Sequence, residues 1–245
     1  MSAQAQPSTS LLSRIWQHIL QALPAVLIAL IALDLTPAVD LRLSRLFYRP
    51  GEGFFLDHNG LVQALYLGTP WLMRIIAVTL LALLGWVILA KPPQARRIRN
   101  AAIFALLALI VGPGLIANSL FKDHWGRPRP EQITEFGGKA SFVPALWPSR
   151  QCDHNCSFVS GHAAAGFFLI TGAWVWPRRR LAWRIVGITA GSLIGLARIA
   201  QGGHFFSDVL GALIVVWFTN ELLYQWMLGR GWLEPPPQKP APRKG

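Results

Sequence analysis

The sequence predicts an all-α, polytopic membrane helix bundle of about six transmembrane helices. Three observations lead there. The 245 residues are 53% hydrophobic and only 14% charged, too apolar for an ordinary soluble domain and of a size that suits one membrane domain. Apolar stretches of about twenty residues, the length needed to cross a bilayer, alternate with short basic segments. Many of the eleven Trp fall at the ends of those stretches (Trp16, Trp71, Trp86, Trp174, Trp176, Trp217, Trp226), where interfacial anchors belong.

The spans are taken in order. The first, residues 15–35, is interrupted by Gln17, His18, Gln21 and Pro24; it lacks a small-residue cleavage site and reads as a retained helix rather than a signal peptide. Residues 36–69 form a connector in which Asp40 to Phe47 has the pattern of an interfacial helix. Spans follow at 70–90 and 101–121, joined by the basic segment 91–100. A polar segment, 122–157, holds both cysteines and leads to spans at 158–176, 181–200 and 205–228. In the fifth span Gly187, Gly191 and Gly195 recur every fourth residue, a ridge that lets a neighbouring helix approach closely. Residues 1–230 read as one membrane domain, and the Pro-rich, polar residues 231–245 as a disordered cytoplasmic tail.

The net charge of +12 is not laid out as a nucleic-acid stripe, so no nucleic-acid partner is expected. It falls mostly between spans. Arg14, the run Lys91–Arg99, the run Arg178–Arg184 and the tail cations share one side, which the Lys/Arg bias makes cytoplasmic. Both termini are then cytoplasmic, and segments 36–69 and 122–157 face outward.

Three clusters on the outer side carry chemistry. Lys122 ends the third span, and Arg129 precedes Pro130 in the stiff segment Gly126 to Pro130, which is expected to present the guanidinium groups of both Arg127 and Arg129. Arginine's planar fork suits phosphate oxygens, and lysine adds a compact charge. Taken alone, these are also ordinary juxtamembrane cations. Ser160, Gly161 and His162 open the fourth span. There Ser160 can cap the helix, Gly161 lets backbone approach an anion, and His162 can move a proton. A plain Ser cap beside an interfacial His is the simpler alternative. In the third cluster Arg198 ends the fifth span and His204 begins the sixth, with Asp208 one helical turn later. A carboxylate there can hold the imidazole tautomer and leave the other nitrogen as a nucleophile, and an Asp entering a span is costly unless it has a task.

Together the three clusters resemble the signature motifs of the type 2 phosphatidic acid phosphatase superfamily. The likeness runs from Lys122 to Asp208. It implies that Lys122, Arg129 and Arg198 bind phosphate and that Ser160 and Gly161 add hydrogen bonds. It further implies that His162 protonates the leaving group, that His204 becomes phosphorylated, and that Asp208 supports it. Two positions depart from the pattern: Val159 stands where Pro is usual and Ala197 where Ser is usual. Neither removes a proton-moving or bond-forming group, so an active, integral-membrane enzyme is implied. Phe136 to Gly138 and Asn155 to His162 look most like bacterial enzymes that dephosphorylate lipid A, with polyprenyl-diphosphate and phosphatidylglycerophosphate phosphatases as close competitors.

The implied reaction needs no cofactor and no metal, because the cations neutralise phosphate charge. His154 with Cys152 and Cys156 is the one candidate zinc grouping. Those cysteines form either a disulfide or two free thiols. The expected partner is a lipid phosphate in the bacterial inner membrane, with the site on the periplasmic face and no obligate protein partner. A transporter predicts charges nearer mid-span. A vanadate haloperoxidase shares the pocket chemistry without the spans, and a lipid-to-lipid phosphotransferase shares the first half-reaction.

Overall fold

The computed structural model describes residues 27–234. Among these, four helices are long and apolar enough to cross a membrane: Gly60–Ala90, Ala95–His124, Pro177–Ala200 and Phe206–Gly229. The predicted fourth span is a shorter apolar run, Gly161–Val175. Of the predicted first span, residues 27–34 are helical and residues 15–26 lie outside the described residues.

Helix α1 (Pro37–Arg45) is the expected interfacial helix, started by a proline at its first position. It leads into a small antiparallel pair, β1 (Tyr48–Arg49) and β2 (Gly53–Phe54). Helix α2 (Gly60–Ala90) begins ten residues earlier than the apolar pattern suggests, because Asn59 caps the Leu61 and Val62 amides at 3.0 and 3.3 Å. It runs through Pro70, and only Thr69 and Val87 along its length are buried, so most of its surface faces away from the protein.

Helix α3 starts at Ala95, taking Arg96, Arg97 and Arg99 into its first turns rather than leaving them in a connector. After Leu109 it widens into a π-helical stretch, Ile110–Phe121, and closes with Lys122–His124. The widening coincides with Pro113, which has no amide to donate, flanked by two glycines. Helix α4 (Gly161–Phe167) continues as a 3₁₀ turn and one further helical turn to Val175. Helices α5 (Arg180–Ala200) and α6 (Phe206–Gly229) complete the bundle.

The core lies between α3, α4, α5 and α6, with Phe104, Phe167, Ile170, Ala212, Val216 and Met227 essentially sealed from solvent. The glycine ridge does what its spacing predicts. A Cβ at Gly187 would sit 2.4 Å from Ile170, and one at Gly191 would sit 2.1 Å from Phe167, so α4 and α5 touch backbone to side chain. At one end of the bundle Arg96 donates to the Gly231 carbonyl at 3.1 Å and Asn100 to that of Trp232 at 2.8 Å. The tail from Gly231 thus begins against α3, and residues 235–245 lie outside the described residues. The other end gathers the three motif clusters.

Candidate active site

Lys122 closes α3, and the loop after it returns to cover the bundle end. Asn155, in the left-handed conformation (φ +51°), joins the two cations of the first cluster. Its side-chain oxygen accepts from Lys122 Nζ at 3.0 Å and its carbonyl from Arg129 at 2.9 Å. Cys152 and Cys156 form a disulfide around Asn155, which takes both thiolates away from the candidate zinc grouping with His154. His154 instead lies 3.0 Å from Asp123.

Arg127 and Arg129 part company. Arg129 turns to the site, but Arg127 is fully buried and presents nothing to a ligand. The Arg127 guanidinium reaches Asp208 at 2.5 Å, Asp40 at 2.8 Å, Ser207 at 2.7 Å and the Val143 carbonyl at 2.8 Å. Asp40 in turn accepts from the Ser207 amide and hydroxyl at 2.8 and 2.6 Å. Every charge in this knot has an opposite charge or a donor, as burial demands.

Asp208 is therefore held from several sides. Its carboxylate also accepts from Ser157 Oγ at 2.5 Å and the Phe205 amide at 2.7 Å. His204 Nδ1 lies 3.5 Å away, beyond a made hydrogen bond, and among the described residues both its ring nitrogens are buried without a partner. Burial pushes the His204 imidazole down to about 3, with Arg198 and Lys122 acting in the same direction against Asp208. The ring is neutral at ordinary pH, the form a nucleophile needs.

Ser160 caps α4 through Ala163 at 3.4 Å, and its amide donates to the Asp208 carbonyl at 3.1 Å, tying the second cluster to the third. Gly161 permits a close approach: a Cβ there would stand 2.2 Å from Asn118 Oδ1. His162 stacks on Tyr66 with ring centroids 4.8 Å apart. Pro70, four residues on, has no amide to bond the Tyr66 carbonyl. His162 Nε2 is buried and unpartnered among the described residues.

Arg198 is buried beneath Tyr66, its guanidinium carbon 4.5 Å from the ring centroid, and it donates to Gln201. Gly203 makes room, since a Cβ there would meet Arg198 at 2.1 Å. Arg198 Nε has no partner among the described residues. The structure thus brings Lys122, Arg129, Ser160, Gly161, His162, Arg198, His204 and Asp208 to one end of the bundle. Buried nitrogens of Arg198, His162 and His204 are left open for an anion. Tyr66, Asn155 and Gln201 border the site without having been named as site residues, and Arg127, expected to face a ligand, instead pairs with Asp40 behind it. Asp40 had a signal, the lone acid in the helix Pro37–Arg45, whereas Tyr66 had none.

The PAP2 superfamily model matches residues 101–232, which includes all three clusters. The chain belongs to the PAP2 superfamily. Within this family it is similar to a lipid A 4'-phosphatase of Francisella tularensis subsp. novicida (strain U112). The two are 35% identical over 218 residues, covering 86% of this chain and 96% of that protein. A lipid A 4'-phosphatase of Rhizobium etli is 30% identical over 205 residues, covering 73% of this chain and 77% of that protein. A lipid A 1-phosphatase of Rhizobium johnstonii is 34% identical over 118 residues, 46% of this chain and 43% of that protein. No solved structure matches the chain. Family membership and the apolar helices make this PAP2 protein a multi-pass membrane lipid phosphatase.

Proposed function

We propose that the protein removes a phosphate monoester from lipid A through a phosphohistidine formed at His204. The observation that carries this reading is the set of unpartnered, buried nitrogens on Arg198, His162 and His204, beside Lys122 and Arg129 drawn together by Asn155. The substrate class is supported by the two similar proteins whose names give lipid A 4'-phosphatase, one matched over nearly its whole length.

Lys122, Arg129 and Arg198 neutralise the non-bridging phosphate oxygens, with Ser160 and Gly161 completing the cradle. His204 Nδ1 faces Asp208, so Nε2 attacks phosphorus as the bond to the lipid oxygen breaks. His162 delivers its proton to that oxygen; a bound phosphate dianion beside the ring stabilises the imidazolium until then. Water then attacks the phosphohistidine, His162 takes the water's proton, and inorganic phosphate leaves. The cations do the work a divalent metal does elsewhere, so the reaction is metal-independent. The site faces the periplasm from the inner membrane, with both termini cytoplasmic and residues 1–230 acting as one domain.

Inorganic phosphate release from purified enzyme tests the reading, using lipid A, phosphatidic acid, phosphatidylglycerophosphate and a polyprenyl diphosphate, each with and without an acceptor lipid. Lipid A is expected to lose one phosphate at the highest kcat/KM. Preference for another lipid overturns the substrate, and phosphate recovered on the acceptor overturns hydrolysis.

A further inference from the structure

Beside the phosphate-binding residues lies a cavity of about 530 Å³ that the phosphoryl chemistry does not use. Its volume falls within the range of about 300–1,000 Å³ usual for small-molecule sites. Phe54, Phe55 and Phe136 supply aromatic walls, and Asp57, Glu131 and Gln201 supply polar ones. One of these polar residues belongs equally to the site, and a second borders it. Gln201 is buried and accepts from Arg198, and Glu131, two residues after Arg129, donates its amide to the Gly202 carbonyl at 3.1 Å.

The walls are built rather than incidental. Tyr48, Phe54 and Phe136 pack in a triangle with centroids 5.2–5.5 Å apart. Gly202 (φ +70°) passes so close to Phe54 that a Cβ would stand 2.4 Å from the ring. The charge is opposite to that of the neighbouring clamp. Of the lining charges, Arg49 pairs with Glu52 at 3.3 Å, and His58 is solvent-exposed 4.0 Å from Asp57. Asp57 and Glu131 remain, both within Coulombic reach of Arg198.

We infer that this cavity is a headgroup subsite for the uncharged, hydroxyl-bearing part of a lipid phosphomonoester, and that Asp57 and Glu131 exclude a second phosphate from it. The inference rests on the phosphatase reading and narrows its substrate class. Carboxylates and an amide accept and donate to hydroxyls, and aromatic faces cover the apolar faces of a saturated ring. A diphosphate bound through its scissile phosphate carries its other phosphate toward these carboxylates, where like charges repel. The clamp attracts phosphate and the cavity rejects it, so one phosphate enters and a linked pair does not.

The test is the ratio of kcat/KM for a polyprenyl diphosphate to that for phosphatidic acid, measured with full-length enzyme in mixed micelles. Glu131→Gln is expected to raise this ratio about tenfold, Asp57→Asn about fivefold, and Glu131→Asp to leave it near wild type. A folding defect lowers both rates and leaves the ratio alone, so a ratio within twofold of wild type in both charge-neutralised variants overturns the subsite. The lipid A reading stands or falls separately, on the wild-type rate for lipid A relative to phosphatidic acid.

Discussion

The Arg127 guanidinium donates to the Asp208 carboxylate at 2.5 Å, and neither side chain has any exposed surface. Its other arm holds Asp40 of α1 at 2.8 Å, so a helix at the bundle's rim is bonded to the carboxylate that faces His204. Removing one partner of such a buried group leaves an uncompensated charge. Arg127→Ala is expected to destabilise the protein by about 3–5 kcal/mol. Asp40→Asn, which keeps the shape, should destabilise less. Thermal melts in detergent check both, and an unchanged Tm for Arg127→Ala refutes the account.

His204→Ala is expected to abolish phosphate release while the protein stays folded and inserted. Asp208→Asn should be milder for chemistry, because the imidazole remains and loses only orientation and charge support. Size-exclusion profiles and a stopped assay for inorganic phosphate read the two effects apart. Near-normal turnover by a folded His204→Ala variant contradicts the assignment.

Acid should destabilise the protein through His204. Its imidazole is pushed from 6.5 down to about 3 in the folded state, so between those values the unfolded chain binds the extra proton. The contribution to stability is complete above about pH 6.5 and is lost progressively as the pH falls toward 3. Denaturant titrations at several pH values are expected to show that slope in wild type and a shallower one in His204→Gln. Parallel slopes exclude it.

Activity should survive EDTA, and vanadate should inhibit competitively as a phosphate-shaped anion on the same cations. Strict dependence on restored magnesium after chelation contradicts the cation-clamp reading.

Single cysteines at Lys139 and Gln94, in a background lacking Cys152 and Cys156, test the sidedness. A membrane-impermeant thiol reagent applied to intact spheroplasts is expected to label position 139 and spare position 94. The reverse pattern places the chemistry in the cytoplasm.

The bundle and its motif clusters were legible because apolar length, Lys/Arg placement and the order of Lys122 through Asp208 are all local properties of the chain. What escaped was pairing at a distance. Asp40 and Arg127 stand 87 positions apart, and nothing local says that one meets the other. Arg127 was expected to face a ligand because it shares its segment with Arg129; only the bundle shows which of the two turns inward. Tyr66 falls in the connector 36–69 of the sequence reading, outside the apolar stretch that begins at 70. The helix passes Pro70 at the cost of one backbone bond and sets the Tyr66 ring against His162. The shortness of the run Gly161–Val175 was hidden by apolar residues on either side of it.

That shortfall sets how deep the reaction lies. The run Gly161–Val175 rises only about 22 Å at ~1.5 Å per residue. The hydrocarbon layer is about 30 Å thick. Gly161 stands beside Asn118, while α3 runs on to His124, so α4 starts below the rim of α3. Ser160 and His162 then stand below that rim rather than on it. On the proposed reaction, a lipid anchored by its acyl chains need not be lifted from its leaflet to be cut: its phosphate would descend past that rim, while the tails stay where they were.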